Sequence, residues 1–156
     1  TRFNIAQNLI FTFGKNGPND ILRVRGALKL ASLNNMMCCV FGKSYNETEE
    51  LMKLVDEGYE LLGMLNWSDH ISWLAEFDLQ RIKQRCSQLV PKVNKFVTRI
   101  LDEHRGQSGE SETHGGFVHI LLSLQGSERL SESDMIAVLW EMIFRGTDTV
   151  AVLIEW

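Results

Sequence analysis

An all-α domain is the fold class that the sequence predicts, and three observations carry it. Apolar residues recur at helical spacing over residues 46–65 and again over 79–105. Residues 132–156 form a third apolar helix with the best-signalled start in the chain. Ser131 stands in capping-box relation to Asp134, and Leu130 and Met135 hold the two positions of a hydrophobic staple. At about 25 residues that helix would be roughly 37 Å long, a rod that only the core of a larger domain needs.

The bulk numbers agree. A chain of 156 residues, 44% of them hydrophobic, can form one domain with a sizeable core. Sixteen basic against twenty acidic side chains leave a net charge of −4, opposite to the basic footprint of nucleic-acid binders, so nucleic acid is excluded as a partner. Cys38, Cys39 and Cys86 are odd in number and form no C-x-x-C, which argues for reduced thiols rather than a disulfide framework or a zinc site. Residue 1 is threonine, no signal or anchor segment follows it, and the chain stops at Trp156 inside an apolar pattern; an internal piece of a longer protein is expected. The 135–156 stretch is long enough to suggest a membrane span. Glu141, Arg145, Asp148 and Glu155 interrupt it, however, and the central ones would each cost about 2.5–3.5 kcal/mol in a bilayer, so a buried helix is expected instead.

The elements follow in order. Residues 3–13 suit a helix end or a short strand. Residues 14–20 concentrate turn formers, and the strand-like ILRV follows. A helix is expected over 25–41, with Leu28, Ala31, Met36, Cys39 and Val40 as its apolar stripe, Asn34 and Asn35 weakening its middle and Gly42 as its C-cap. The helix at 46–65 is expected to begin with Asn46 as N-cap and Glu49 as the reciprocal acid. Leu51, Leu54, Val55, Leu61, Leu62 and Leu65 would line one face, and Gly58 would be its weak point. A loop or short helical turns should occupy 66–78.

In the helix at 79–105, Ile82, Cys86, Leu89, Val93, Val97, Ile100 and Leu101 keep the period, and His104 and Arg105 supply cations to its C-terminal end. Pro91 either kinks this helix or begins its second half. Residues 106–116 are polar and glycine-rich, a solvent-exposed linker; a short helix at 117–124 and a QGSER turn lead to the last helix. His114 and His119 have no third ligand at suitable spacing, so no metal site is expected.

One stretch resists this reading. IFRGTDTVAV, residues 143–152, places a cation, a glycine and a Thr-Asp-Thr triplet inside an apolar helix, although glycine costs about 1 kcal/mol there relative to alanine. Gly146 and Thr149 share one side, while Glu141, Arg145 and Asp148 follow i, i+4 and i+3 relations on another. A Thr149 hydroxyl bonded back to the Arg145 carbonyl could open a local bulge of the kind found at functional sites. Equally, Gly146 could admit a neighbouring helix while the three charges satisfy one another, and periodicity does not separate these alternatives.

Arg145-Gly146-Thr147-Asp148-Thr149, within a long helix ending Ile154-Glu155-Trp156, resembles the oxygen-groove helix of the cytochrome P-450 haem-thiolate monooxygenases, whose pattern is Ala/Gly-Gly-x-Asp/Glu-Thr. LNNMMCCVFG (33–42), SDHISWLAEFDLQRIKQRC (68–86) and SERLSESDMIAVLWEMIFRGTDTVAVLIEW (127–156) resemble the plant microsomal A-type members, most of all the KLUH-type subfamily. The resemblance covers nearly the whole chain, in order. It implies that residues 1–156 are the central part of a single cytochrome P-450 domain, from about helix D to helix I. Arg145 stands where the family has a small residue, and Val150 where a second hydroxyl is frequent.

The family's haem-ligand loop, Phe-x-x-Gly-x-Arg-x-Cys-x-Gly, and its helical Glu-x-x-Arg do not occur here, so no haem-ligand cysteine and no other metal ligand is expected in the chain. The resemblance further implies a parent enzyme that inserts one oxygen atom of O2 into a lipophilic substrate, a fatty acyl chain being one candidate. Its cofactor would be haem, its electrons would come from NADPH through a reductase, and its location would be the cytosolic face of the endoplasmic reticulum membrane, reached through an anchor outside this chain. Asp148 and Thr149 would be catalytic, delivering protons to bound oxygen. Gly146 and Thr147 would shape the oxygen groove, and Phe144, Arg145 and Val150 would face or flank the substrate. Arg145 has two competing roles, pairing with Glu141 or holding a substrate carboxylate. Leu62 to Leu65 and Trp73 to Phe77 could line a substrate channel or pack in the core. The alternative reading is a non-catalytic, all-helical binding or scaffold module.

Overall fold

A computed structural model describes residues 2–14, 24–43, 45, 47–65, 80–106, 116–124 and 130–156. Among these, six helices follow in order: α1 (Arg2–Gly14), α2 (Val24–Phe41), α3 (Thr48–Gly63), α4 (Ile82–Gly106), α5 (Phe117–Ser123) and α6 (Glu132–Glu155). The predicted all-α class is what forms. Residues 3–13, open between helix and strand, are helical. The ILRV segment lies outside the described residues except for Val24, which begins α2. The 66–78 stretch with Trp73 and Phe77, the linker with His114, and the QGSER turn also lie outside them.

The core is built around α2, which packs against α1, α3, α5 and, along most of its length, α6. Leu33, Met37, Val40 and Phe41 of α2 meet Leu139 and Ile143 of α6, Leu51 and Val55 of α3, Val97, Ile100 and Leu101 of α4, and Val118 of α5 in one buried cluster. This shifts the expected stripe: Ala31, Met36 and Cys39 are only half-buried, because α2 is surrounded rather than one-sided. Arg25 meets Glu155, Lys29 meets Asp148, and the Ser32 hydroxyl donates to the Gly146 carbonyl, so α2 and α6 run antiparallel. These three residues and Met36 follow each other at steps of four, three and four, a stripe dedicated to α6.

Helix boundaries report on their caps. Gly42 ends α2 with φ of 77°, the left-handed geometry expected of its C-cap. Beside it, Gly116 starts α5 in close contact: a Cβ there would lie 2.2 Å from the Gly42 nitrogen and 2.6 Å from the Val40 oxygen. The start of α3 departs from expectation. Glu47 occupies the cap position and makes no side-chain cap bond; its carboxylate is held by the Arg99 guanidinium of α4, at 2.7 Å for one of the two contacts. Asn46, the predicted cap, lies outside the described residues. The α6 start is as predicted, with Ser131 Oγ accepting from the Asp134 N–H at 3.2 Å, Met135 buried and Leu130 packed on the core.

Three further expectations are corrected. Leu62 and Leu65 are exposed, at 69% and 60%, because no described helix covers the last turn of α3. Gly58, read as a weak point, is a packing site: a Cβ there would come within 2.7 Å of the Phe144 ring. His104, read as a cation at a helix end, is buried, with Nδ1 2.8 Å from the Ile100 oxygen and Nε2 2.9 Å from the Phe41 oxygen, tying the end of α4 to the end of α2. α4 continues through Pro91, so the proline does not begin a separate second half, and it lies on the exposed side of the helix. No described helix is long and apolar enough to cross a membrane. The three cysteines form no disulfide; Cys38 and Cys39 are half-buried and Cys86 is exposed.

Candidate functional site

The interrupted stretch of α6 is where three helices converge, and each polar residue in it has a different fate. The helix is continuous through Gly146 rather than opened into a separate bulge. Thr147, fully buried, donates its hydroxyl to the Ile143 carbonyl at 2.6 Å, so the back-bond expected of Thr149 is made by its neighbour two residues earlier. The Phe144 carbonyl accepts from Tyr59 of α3 at 2.7 Å, and the Gly146 carbonyl accepts from Ser32 of α2 at 2.9 Å. Three hydroxyls thus reach three carbonyls within one turn of α6. They compensate a segment whose glycine, threonines and aspartate are poor helix formers.

Gly146 is a close-approach position. A Cβ would fall 2.6 Å from both Sδ and Cε of Met36, so the absent side chain is the space that Met36 occupies. Phe144, a candidate substrate residue, is 7% exposed; its ring stacks on Tyr59, with centroids 4.2 Å apart, and on Trp140 at 5.6 Å. Arg145 is on the outside and its Nε donates to Glu141 one turn earlier, the pairing weighed against a substrate carboxylate. Asp148 does not complete that ion triplet. Its Oδ1 lies 2.8 Å from Lys29 Nζ, which also reaches Asp56 of α3 at 2.9 Å. Burial alone would lower the Lys29 pKa; the two carboxylates outweigh it and hold the ammonium above its ordinary value.

Thr149, one residue on, is exposed, on the same side of α6 as Glu141 and Arg145. Beyond it the C-terminal half of α6 presents Val150, Leu153 and Ile154 to the outside, at 40, 75 and 61% exposure. The structure therefore divides the predicted site residues. Asp148 joins an ion bridge between helices, Thr147 and Phe144 are interior, Gly146 receives Met36, and Thr149 and Val150 lie on an open, mostly apolar strip. Lys29, Ser32, Asp56 and Tyr59 escaped the sequence reading. The available signal was the polar stripe on α2, whose spacing matters only once α6 is known to face it.

A helical chain whose last helix sets a hydroxyl and an acid side by side at a glycine is the class that fold and site define. The chain belongs to the cytochrome P450 family: the family model described as Cytochrome P450 matches residues 5–156. It is 58% identical to Cytochrome P450 78A6 of Arabidopsis thaliana over 97% of this chain and 29% of the relative. It is 60% identical to Cytochrome P450 78A3 of Glycine max over 99% of this chain and 30% of the relative. It is 30% identical to isoflavone 3'-hydroxylase of Medicago truncatula over 86% of this chain and 29% of the relative. The chain thus spans under a third of the length of these curated relatives.

Proposed function

We propose that this chain is the central part of a single domain in a haem-thiolate monooxygenase, and that α6 is its proton-handling helix. The observation that carries the reading is the divergence of two adjacent side chains: Asp148 is held in the Lys29 bridge, while Thr149 stands on the open strip. That strip fits haem. Val150 and Leu153 offer apolar contact for one face of a flat macrocycle, and Thr149 places a hydroxyl among them. None of Cys38, Cys39 and Cys86 has the glycine and arginine setting of a thiolate-ligand loop, so the axial ligand is not assigned to this chain.

Haem, when bound, supplies the activation of O2 and the insertion of one oxygen atom into a lipophilic substrate. The hydroxylase named among the relatives supports an oxygen-insertion reaction for the parent. Electrons from NADPH through a reductase, at the endoplasmic reticulum membrane, belong to the same proposal. Thr149 Oγ1 can donate one proton and accept another, as a relay at a water-poor surface requires. Asp148 lies about 100° around the helix from Thr149, toward the interior, where a carboxylate on Lys29 holds a negative charge in reserve beside the relay. Gly146 and Thr147 shape the helix behind the hydroxyl. Val150 flanks the substrate, and Arg145, paired with Glu141, borders it.

The roles separate by assay in the full-length enzyme with its reductase. Thr149→Ala should keep NADPH consumption near normal but release hydrogen peroxide in place of product. Asp148→Asn should slow NADPH consumption by roughly tenfold or more, within the range of general acid–base effects, with substrate affinity little changed. Wild-type coupling in Thr149→Ala would overturn the relay reading and favour a purely structural α6.

A further inference from the structure

Three helices meet at one ammonium. Lys29 Nζ of α2 lies 2.8 Å from Asp148 Oδ1 of α6 and 2.9 Å from Asp56 Oδ1 of α3. Two carboxylates against one cation leave this cluster with one negative charge in excess. Exposure divides it: the side chains of Lys29 and Asp148 are 21% and 24% exposed, whereas that of Asp56 is 51% exposed. The relay carboxylate therefore sits on the shielded side of the lysine, and a second carboxylate sits on its solvent side. A bridge that only braced α2 on α6 would need Asp148 alone.

We propose that Asp56 is a positioning residue for the relay: it is the reserve partner of Lys29, keeping the ammonium paired whenever Asp148 takes up a proton. The inference rests on the reading of Asp148 as a proton-handling group given above. A carboxylate in a one-to-one bridge is a poor proton carrier, because neutralising it strands the cation opposite, and a shielded cation without a partner is costly. Here the charge count differs. Proton uptake at an Asp148 oxygen makes the neutral acid, Lys29 then faces the Asp56 carboxylate alone, and the cluster passes from one excess negative charge to none. When Asp148 passes the proton on, the excess charge returns and its contact with Lys29 closes again. No proton leaves Lys29, whose three N–H donors can serve both carboxylates at once. Asp56 carries no proton in this scheme and acts on Asp148 only through the lysine.

Two measurements on the full-length enzyme test this. The first needs no turnover: lysines are reductively methylated and the label at Lys29 is counted by mass spectrometry. Asp148→Asn imitates the neutral acid, and Lys29 should stay nearly as protected as in the wild type because Asp56 holds it. Adding Asp56→Asn should raise the labelling about tenfold, the factor that one charge-assisted hydrogen bond is worth, and by more than the product of the two single effects. The second measurement is NADPH consumption with the reductase. Asp56→Asn should slow it about fivefold at saturating substrate with KM unchanged, less than tenfold because half of Asp56 is in solvent. Asp56→Glu, which keeps the charge, should restore the rate. In a Lys29→Met background no cation is left to strand, so Asp56→Asn should slow nothing further; if Lys29→Met fails to assemble with haem, the rescue by Asp56→Glu carries the test. Full labelling of Lys29 in Asp148→Asn alone overturns the inference, as does an Asp56→Asn enzyme as fast as wild type while Asp148→Asn is slow. Unchanged NADPH consumption in Asp148→Asn overturns instead the reading beneath it.

Discussion

Two glycines that look alike in the sequence differ in what surrounds them. A side chain at Gly116 would meet backbone on the far side, the Gly42 nitrogen at 2.2 Å and the Phe41 carbonyl carbon at 2.6 Å, and neither can move without shifting the end of α2. At Gly146 the obstruction is Met36, an unbranched side chain that can swing aside. Gly116→Ala should therefore cost about 1–3 kcal/mol, in the range of overpacked sites. Gly146→Ala should be close to neutral in stability, since alanine gains about 1 kcal/mol of helix propensity against the repacking of Met36. Denaturant midpoints of the two variants give the comparison, and equal losses would show that Met36 is as immobile as backbone. The sequence marked Gly146 as unusual and did not distinguish Gly116 from its glycine-rich surroundings. Only the partner across the gap assigns each its cost.

Helix ends and interiors show which local signals survive folding. The Ser131 cap does, because its hydroxyl accepts from the Asp134 N–H while donating to the Asp134 carboxylate at 2.6 Å, both within the first turn of α6. Ser131→Ala should lower stability by about 1 kcal/mol. Pro91 is the opposite case: α4 runs through it, although proline cannot donate to the Ser87 carbonyl and costs roughly 3 kcal/mol against alanine in a helix interior. Its ring is on the exposed side, so little packing is lost on replacement, and Pro91→Ala should raise the denaturant midpoint by at least as much as Ser131→Ala lowers it. A loss of stability in Pro91→Ala would mean that the proline stabilises a bend that α4 needs. At the start of α3 the cap position falls on Glu47, whose carboxylate is engaged by Arg99 of α4, a partner that no local pattern can reveal.

Across the whole molecule, ion pairs join helices rather than decorate one surface, and they set how stability responds to pH. Hydrogen bonds from Arg99, Arg85 and Lys43 hold Glu47, Glu60 and Glu103 below their ordinary value of 4.5. Folded values depressed in this way stabilise fully above pH 4.5, and the contribution is lost as pH falls through them. Lys29 is raised above its ordinary 10.5, so its contribution is complete below that pH and lost as pH rises through the folded value. Stability should thus be flat between these limits and fall on both sides. The acid limb should be the more salt-sensitive, because Glu60 and Glu47 are solvent-exposed whereas the Lys29 bridge is largely shielded. Denaturant midpoints across pH at two salt concentrations measure this; an acid limb indifferent to salt would remove the surface pairs from the account.

What the sequence determined by itself was local or patterned: the all-α class, the Ser131 start, Gly42 as the end of α2, and the singularity of residues 145–149 with the family they resemble. Each rests on spacing within one helix or on a motif read in order, and the turns of a helix carry such information wherever it lies in the fold. The tertiary structure decided the rest. It turned Asp148 to Lys29 rather than to Arg145, buried His104 between two carbonyls, filled the space at Gly146 with Met36, and set Tyr59 against the Phe144 carbonyl. These contacts join residues far apart in the chain whose spacing carries no mutual signal. Only the antiparallel packing of α2 on α6, with α3 laid beside both, brings the charges and hydroxyls within bonding distance.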